Sequence, residues 1–344
     1  MRTRKQTRAE ESFEASPSTP TVVSITKIEG PTTSTTRDKA LSSQRSKLPK
    51  LVQFPLVVVL SLALSQLGYT LSWPYTKGAL VTHARPLTTW EDWGLVVGWR
   101  IFELALGWFG NYDGYDITAL NLLSSGPPLY LLFAFYETLP SALLLTITIE
   151  TLATYIPFRL LRPLSREHAD PATAPNAEIV TDRPIALLTT LLAGAIYSVT
   201  LFFAYTTYLP AYLVVYFTSL PTIVAAHEVT YVGLLPVTLV LGFAARAFIF
   251  TPAGATPLVK EKEFDPMSAS LSETVRWNFW GWSAQTKVAM RRTALLVLVT
   301  GANTFLQTRF TIHGVETIGA VAWSSVWVLA AALTGLSLCA VGSA

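Results

Sequence analysis

The chain has very little cysteine and little charge for its length. Its 344 residues include one cysteine, and 14% of them are charged, against about 25% in an ordinary soluble domain. A lone Cys339 excludes an internal disulfide and a cysteine-type zinc or iron–sulfur centre. The sequence also contains no P-loop, no dinucleotide-binding glycine motif and no G-x-S-x-G elbow. It therefore lacks the signatures of the common soluble enzyme classes.

Long apolar runs are what the sequence has instead. Apolar residues make up 51% of the chain and aromatic residues 12%. The runs are about 20 residues long, which is the length a helix needs to cross the hydrocarbon core of a bilayer. We expect an all-α, polytopic helical membrane bundle of about six transmembrane helices, with eight as the alternative and one or two short interfacial or re-entrant helices besides.

The excess of positive charge lies at the start of the chain. Residues 1–50 contain ten Lys and Arg, five acidic residues and 17 Ser and Thr, and they contain no apolar run. Such a segment cannot bury enough apolar surface to offset its conformational entropy. We therefore predict that 1–50 is a disordered, basic, Ser/Thr-rich cytoplasmic tail, and we expect no nucleic-acid partner.

Six stretches are predicted to span the membrane. They lie near residues 51–73, 130–161, 185–209, 231–250, 288–308 and 319–341, and together they make 51–344 a transmembrane domain. As one helix, 130–161 would be roughly 48 Å long, so we expect it to tilt, to kink at Pro140 or to begin outside the bilayer. Two more stretches, 93–110 and 211–226, are ambiguous, because the first contains two charges and the second is short.

The distribution of arginine decides between six and eight spans. With six, the polar loops 163–183 and 251–287 and their Arg-rich flanks lie on the same side, which the positive-inside rule places in the cytoplasm. Both termini are then cytoplasmic. If 93–110 and 211–226 both cross, the arginines around 159–183 move to the far side, so the rule favours six. The sequence does not indicate an organelle or an oligomeric state.

Several short motifs resemble those of a known family. They are GWRIFEL at 98–104, YDGYD at 112–116, AAH at 225–227, WNFWGW at 277–282, RT at 292–293, NTFLQ at 303–307 and GVE at 314–316. Together they resemble an uncharacterised family of multi-pass membrane proteins of filamentous fungi, over roughly residues 93–341. The resemblance implies a topology class, and it implies no activity, substrate or site residue.

Glu150 is the first candidate for an intramembrane polar site, because apolar residues flank it on both sides. A charge there is costly unless it is paired, and Arg246, Arg292 and Asn303 are candidate partners. A proton or cation site is one interpretation, and a structural hydrogen bond between helices is the favoured one. Asn303 and Gln307 are four residues apart and belong to a polar stripe, which either lines a water path or holds helices together.

Arg100, Glu103 and Glu137 are secondary candidates. Arg100 and Glu103 are neighbours on one helix face, and we favour an amphipathic helix at the outer interface with the pair facing water. Gly94 and Gly98 form a GxxxG motif that suits close helix packing. Glu137 and Glu150 are 13 residues apart on the predicted 130–161 helix, which is too far for a catalytic carboxylate pair.

The remaining polar residues suggest no catalytic or metal centre. The four histidines are far apart in sequence, and Asp113 and Asp116 offer too few oxygen ligands for a calcium loop. The aromatic and basic segment from Trp277 to Arg292 is predicted to lie on the cytoplasmic leaflet, where anionic lipids would be its partners. We expect no catalytic residues, no cofactor and no metal.

Three functions remain open. A transporter or channel-like protein is placed slightly ahead, because of Glu150 and the polar stripe. The alternative is a structural or interaction protein of the membrane without transport or catalytic activity. A membrane-embedded enzyme ranks last, because no nucleophile or His/Asp cluster is found. The feature that separates them is whether Glu150, Arg246, Arg292 and Asn303 converge on one cavity.

Overall fold

The computed structural model describes residues 49–76, 78–174, 177–250, 270–280 and 284–343, without the side chains of 50, 173, 276–280, 284–285 and 343. The predicted tail at 1–50 therefore lies almost wholly outside the described residues. In the predicted lipid-binding segment Trp277–Arg292, the side chains of 277–285 lie outside them too. Everything below refers to the described part of the chain.

Eight helices of 20 residues or more dominate the structure. In chain order they are α1 Lys50–Thr76, α2 Trp90–Phe109, α3 Gly114–Phe135, α4 Pro140–Leu161, α5 Arg183–Thr206, α6 Tyr231–Phe250, α7 Ala284–Thr311 and α8 Thr317–Ser343. Short α-helices cover Arg166–Ala169, Ala177–Thr181, Leu209–Tyr216, Val224–His227 and Leu271–Trp280. Within the described ranges there is no strand, only two isolated bridges, so the all-α prediction is confirmed.

Six of these helices are long and apolar enough to cross a membrane. They are α1, α3, α4, α5, α6 and α8, judged by length and composition over the described residues. The other two contain the polar residues that lower their hydropathy: α2 has Arg100 and Glu103, and α7 has Asn303 and Gln307. The number of helices that are apolar and long enough to span equals the predicted six, although they are not the predicted set, and the polar α2 and α7 stand outside this count.

The predicted single span at 130–161 is wrong, because the chain breaks at 136–139. Glu137 has a positive φ of 52°, and Pro140 occupies the first turn of a new helix instead of kinking an existing one. A residue before proline is pushed towards extended backbone, and Leu139 has a ψ of 123°. Residues 130–135 of the stretch belong to α3, which begins at Gly114, before the predicted start of the span.

The two ambiguous stretches have different outcomes. The stretch 93–110 lies in one continuous helix, α2, whose start is capped by Thr89, which accepts a hydrogen bond from the backbone of Asp92 at 3.2 Å. The stretch 211–226 contains no long helix. It is divided between Leu209–Tyr216 and Val224–His227, with an irregular segment between them.

The loops gather at two ends of the bundle. At one, the His313 end, the backbone of His313 donates to His83 and that of Thr218 donates to Gly314, both at 2.9 Å. At the other, the Arg162 end, Arg162 donates to the carbonyl of Tyr112 at 2.8 Å. Because each connection between consecutive long helices lies alternately at one end and then the other, the eight helices run antiparallel from α1 to α8.

Small residues set how closely some helices approach. A Cβ on Gly242 of α6 would lie 2.6 Å from the backbone nitrogen of Gly194 in α5 and 2.8 Å from the carbonyl of Thr190. The predicted GxxxG contact is wrong, because a Cβ on Gly94 or Gly98 would meet no described atom within 4 Å. The α5–α6 contact therefore depends on the absence of a side chain at Gly242, because the nearest atoms belong to the backbone of α5.

We predict that Gly242→Ala destabilises the protein. The new methyl group would meet backbone atoms that cannot rotate away, and overpacking of this kind costs about 1–3 kcal/mol. Thermal unfolding of the purified full chain in detergent should show a melting temperature lower by about 5 °C. Gly98→Ala is the matched control, and it should leave the melting temperature unchanged or slightly higher. Equal effects of the two substitutions would contradict the α5–α6 packing.

Candidate functional site

A cavity of about 540 Å³ lies among α1, α2, α3, α4 and α7. The segment 78–84 and the end of α7 line it towards the His313 end, and the middle of α2 and of α4 line its base. Most of its wall is apolar, with side chains such as Leu62, Val97 and Leu132. Among the described residues that line it, the acidic and basic side chains are Arg100, Glu103 and Glu150 at the base and His83 in the segment 78–84.

These three charges form one cluster at mid-bundle. Arg100 lies 3.5 Å from Glu103, one turn away on α2, and 3.3 Å from Glu150 on α4. The cluster is largely buried: the side chain of Arg100 is 16% exposed, that of Glu103 10% and that of Glu150 22%. The prediction that Arg100 and Glu103 face water at an interface is therefore wrong, because α2 packs its charged face into the bundle.

Glu150 is held by hydroxyl groups as well as by the arginine. The hydroxyl of Tyr69 donates to its Oε1 at 2.7 Å, and that of Ser65 donates to the same oxygen at 3.3 Å. Both hydroxyls come from α1, so this carboxylate joins α1, α2 and α4. The prediction that Arg246 or Arg292 pairs with Glu150 is wrong. The arginine that pairs with Glu150 is Arg100, 50 residues away in sequence.

Arg100 uses its remaining donors on α3 and α4. Its guanidinium donates to Oδ1 of Asn121 at 3.1 Å and to the hydroxyl of Thr154 at 2.7 Å. Glu103 is less well satisfied. One of its oxygens faces Arg100, while the other, Oε1, is buried and has no hydrogen-bond partner among the described residues.

The polar stripe on α7 contributes Asn303 and Gln307 to the same cavity. The indole Nε1 of Trp99 donates to Oδ1 of Asn303 at 3.0 Å, which joins α2 to α7. Three of the five primary candidates, Glu150, Asn303 and Gln307, are thus brought together.

Arg246, Arg292 and Glu137 lie elsewhere. The guanidinium of Arg246 is 5.7 Å from the ring centre of Phe243, and its Nε is buried without a hydrogen-bond partner in the described ranges. Glu137 is exposed in the break between α3 and α4. Of the four residues that were candidates to converge on one cavity, Glu150 and Asn303 line it, and Arg246 and Arg292 do not.

Arg292 belongs to a second buried cluster, near the Arg162 end. It donates two hydrogen bonds to the carboxylate of Asp116, at 2.8 and 3.0 Å, and another to the carbonyl of Phe248. Its guanidinium also lies over the rings of Phe248 and Tyr112, at 4.8 and 4.9 Å from their centres. Arg292 therefore ties α7 to α3 and α6.

Asp113 and His168 extend this cluster into the loops. Oδ1 of Asp113 caps the start of α3, accepting from the backbone of Tyr115 and Asp116 at 3.0 Å. Its Oδ2 lies 2.6 Å from Nδ1 of His168. Burial would raise the pKa of Asp113, but the hydrogen bond and charge of His168 and the backbone N–H groups outweigh it and lower the pKa to about 2. Burial lowers the pKa of His168, and Asp113 outweighs it and raises that pKa.

Asp113, Asp116 and His168 place one possible ligand atom each within 4.8 Å of one another. That spacing suits a metal ion, but the existing contacts already use these atoms. Arg292 binds both oxygens of Asp116, and Asp113 is shared between the helix start and His168. The geometry supports a structural tie between α3, α7 and the loop after α4. Sequence reasoning missed His168, because nothing in its local sequence marks it.

Comparison with known proteins concerns the second half of the chain. Residues 182–341 match the family model of the Bouquet formation protein 3 C-terminal domain. The match covers α5 to α8 and begins at the residue before α5. No curated protein and no solved structure matches the chain. The resemblance over roughly 93–341 is therefore supported in part, and α2, α3 and α4 lie outside the match.

We predict that Arg292→Gln destabilises the protein strongly. The substitution would remove the cation that binds both oxygens of the buried Asp116, and breaking a buried ion pair costs about 3–5 kcal/mol. Arg291→Gln is the matched control, because its side chain is exposed, and it should change the stability by less than about 0.5 kcal/mol. Chemical unfolding of both variants, followed by tryptophan fluorescence, measures the difference. An Arg292→Gln variant as stable as Arg291→Gln would contradict the role of the pair.

Proposed function

We propose that this chain is a multi-pass membrane protein that acts by binding other proteins, in the process that the matching family is named for, bouquet formation. The observation that supports this most is the match of 182–341 to the Bouquet formation protein 3 C-terminal domain. The alternative function set out from the sequence is thus better supported than the transporter.

The distribution of buried charge agrees with this proposal. Among the described residues of the matched part, Arg292 is the buried charged side chain, and its contacts tie helices together. The charges that line the cavity, Arg100, Glu103 and Glu150, all lie before residue 182. The helices shared with the family thus bring no charged side chain to the cavity.

The case for transport depended on Glu150. Its contacts with Arg100, Tyr69 and Ser65 satisfy both of its oxygens and join three helices. A carboxylate bound in this way fits the structural interpretation that the sequence favoured for it. The family match adds nothing in favour of transport.

We further propose that all eight long helices cross the membrane, with the Arg162 end in the cytoplasm. Lys and Arg among the described residues concentrate at that end: Arg159, Arg162, Arg166, Arg183, Arg246, Lys287, Arg291 and Arg292 lie there, and Arg85 and Arg309 at the other. The positive-inside rule then places both termini in the cytoplasm. In the eight-span alternative, 130–161 crosses once, so three crossings precede the arginines around 159–183 and they lie outside. With α3 and α4 as two helices, four crossings precede these arginines, and they lie in the cytoplasm.

A sidedness measurement tests this orientation. In a Cys339→Ser background, Ala172→Cys would place a thiol at the Arg162 end and Glu228→Cys one at the His313 end; both positions are exposed. An impermeant thiol reagent added to intact cells should spare Ala172→Cys and, in membranes opened by detergent, should label both. Labelling of Ala172→Cys from the far side, or of both residues from one side, would contradict the proposed arrangement.

Photo-crosslinking tests the binding function on the full chain in its own membrane. A photoreactive residue at Leu188 or Phe203, exposed on α5 within the matched part, should give discrete protein adducts. Leu67 and Leu71, equally exposed on α1 outside the match, are the matched control positions, and they should give several-fold less adduct.

A flux assay on the same protein separates binding from transport. Purified chain reconstituted in liposomes should pass no more protons or monovalent cations than its Glu150→Gln variant does. Flux that is abolished by Glu150→Gln would restore the transporter, and a lack of protein adducts from α5 would remove the support for binding.

A further inference from the structure

The middle of α2 and of α4 forms the base of the cavity, and among the described residues this base is one positive charge short. Its charged groups are one guanidinium, Arg100, and two carboxylates, with Arg100 lying 3.5 Å from Glu103 and 3.3 Å from Glu150. The imidazole of His83 lines the cavity in the segment 78–84, towards the His313 end. Ionised, the three groups at the base leave a net charge of −1 in an apolar bundle, where an unbalanced charge is costly. A bound cation would restore the balance.

Glu103 also needs a hydrogen-bond donor. Its residue is 8% exposed, and its Oε1 is buried with no hydrogen-bond partner among the described residues. A buried acceptor left unpaired costs free energy that a donor from a ligand would recover. Because Glu103 lines the cavity, a ligand seated at the cavity's base can reach the cluster to which this oxygen belongs.

Aromatic rings line the same space. Tyr69 and Trp73 of α1 and Trp99 of α2 are among the lining residues, and ring faces attract cations, ammonium groups in particular. The volume of about 540 Å³ lies within the ordinary range of small-molecule sites, and most of the lining is apolar. This combination suits a cation with a hydrocarbon part.

We propose that this cavity binds a primary ammonium group, with its N–H donors on Glu103 and Glu150 and its carbon chain against the apolar wall. A quaternary ammonium would donate no hydrogen bond to either carboxylate, because it has no N–H. A calcium ion would need six or more oxygen ligands and would compete with Arg100. The site draws on α1, α2, α4 and α7 and does not depend on the protein partner proposed above.

The ammonium group has two sources that share this chemistry, a free amine and the headgroup of an aminophospholipid. Full-length protein in nanodiscs of pure phosphatidylcholine, which has no primary ammonium, isolates the free amine. Butylammonium chloride, at concentrations far above its Kd, should raise the melting temperature by about 3 °C or more. Tetramethylammonium chloride at equal ionic strength should not. In nanodiscs that contain phosphatidylethanolamine, a comparable rise without added amine would identify the lipid as the source.

Two variants connect the effect to the cavity. Glu103→Gln removes the excess negative charge, and Val97→Trp fills the cavity while leaving the charges in place; each should abolish the rise. Leu95→Trp, on the same helix but away from the cavity, is the matched control and should keep it. If Glu103→Gln does not fold, the comparison of the rise in melting temperature between Val97→Trp and Leu95→Trp still tests the proposal.

The proposal is overturned by an equal rise with tetramethylammonium, or by no rise with either butylammonium or phosphatidylethanolamine. It is also overturned by a rise that persists in Val97→Trp. The absence of any rise would mean that a proton, and not an ammonium ligand, balances the cluster.

Discussion

A charge placed inside an apolar bundle has to find its opposite there, and this constraint organises the structure around two arginines. Arg100 of α2 binds Glu150 of α4 and Asn121 of α3, while Glu150 in turn holds two hydroxyls of α1. Arg292 of α7 binds Asp116 of α3 and a carbonyl of α6. Helix α3 is contacted by both. Because each arginine has several donors in a fixed plane, each fixes the relative positions of several helices at once.

The two clusters differ in how completely their charges and hydrogen-bonding atoms are paired. This difference suits a structural role for the Arg292 cluster and a binding role for the Arg100 cluster. At Asp116, one cation meets one carboxylate through two hydrogen bonds and no cavity adjoins it among those described. At Arg100, one cation meets two carboxylates beside a cavity, and one carboxylate oxygen has no hydrogen-bond partner among the described residues. The first arrangement is a closed ion pair. The second has an excess negative charge and an unpaired oxygen, which are the two observations behind the proposed ammonium site.

The helical class of the protein could be predicted from the sequence because hydropathy is a local property. The apolar runs and the place of Glu150 within one follow from neighbouring residues alone. The partner of Glu150 could not be found in this way, because Arg100 is 50 residues away and the pairing depends on how α2 packs against α4. The start of α3 was missed for a local reason. Polar residues in α3, such as Asn121 and Ser124, lower its hydropathy, so 114–129 were not predicted as part of a span.

The cavity also shows why the boundary of the family match is no boundary of the fold. The match begins at 182, so α1 to α4 lie before it and α5 to α8 within it. Yet Asn303 and Gln307 of α7 complete the wall that α2 begins, and Trp99 donates across that boundary to Asn303. Arg292 crosses it in the opposite sense, to Asp116. The two halves therefore share their buried polar groups. A ligand at the base of the cavity would contact α2, which is joined to α7 through Trp99 and Asn303. Its binding would therefore stabilise contacts with the half of the protein that matches the family.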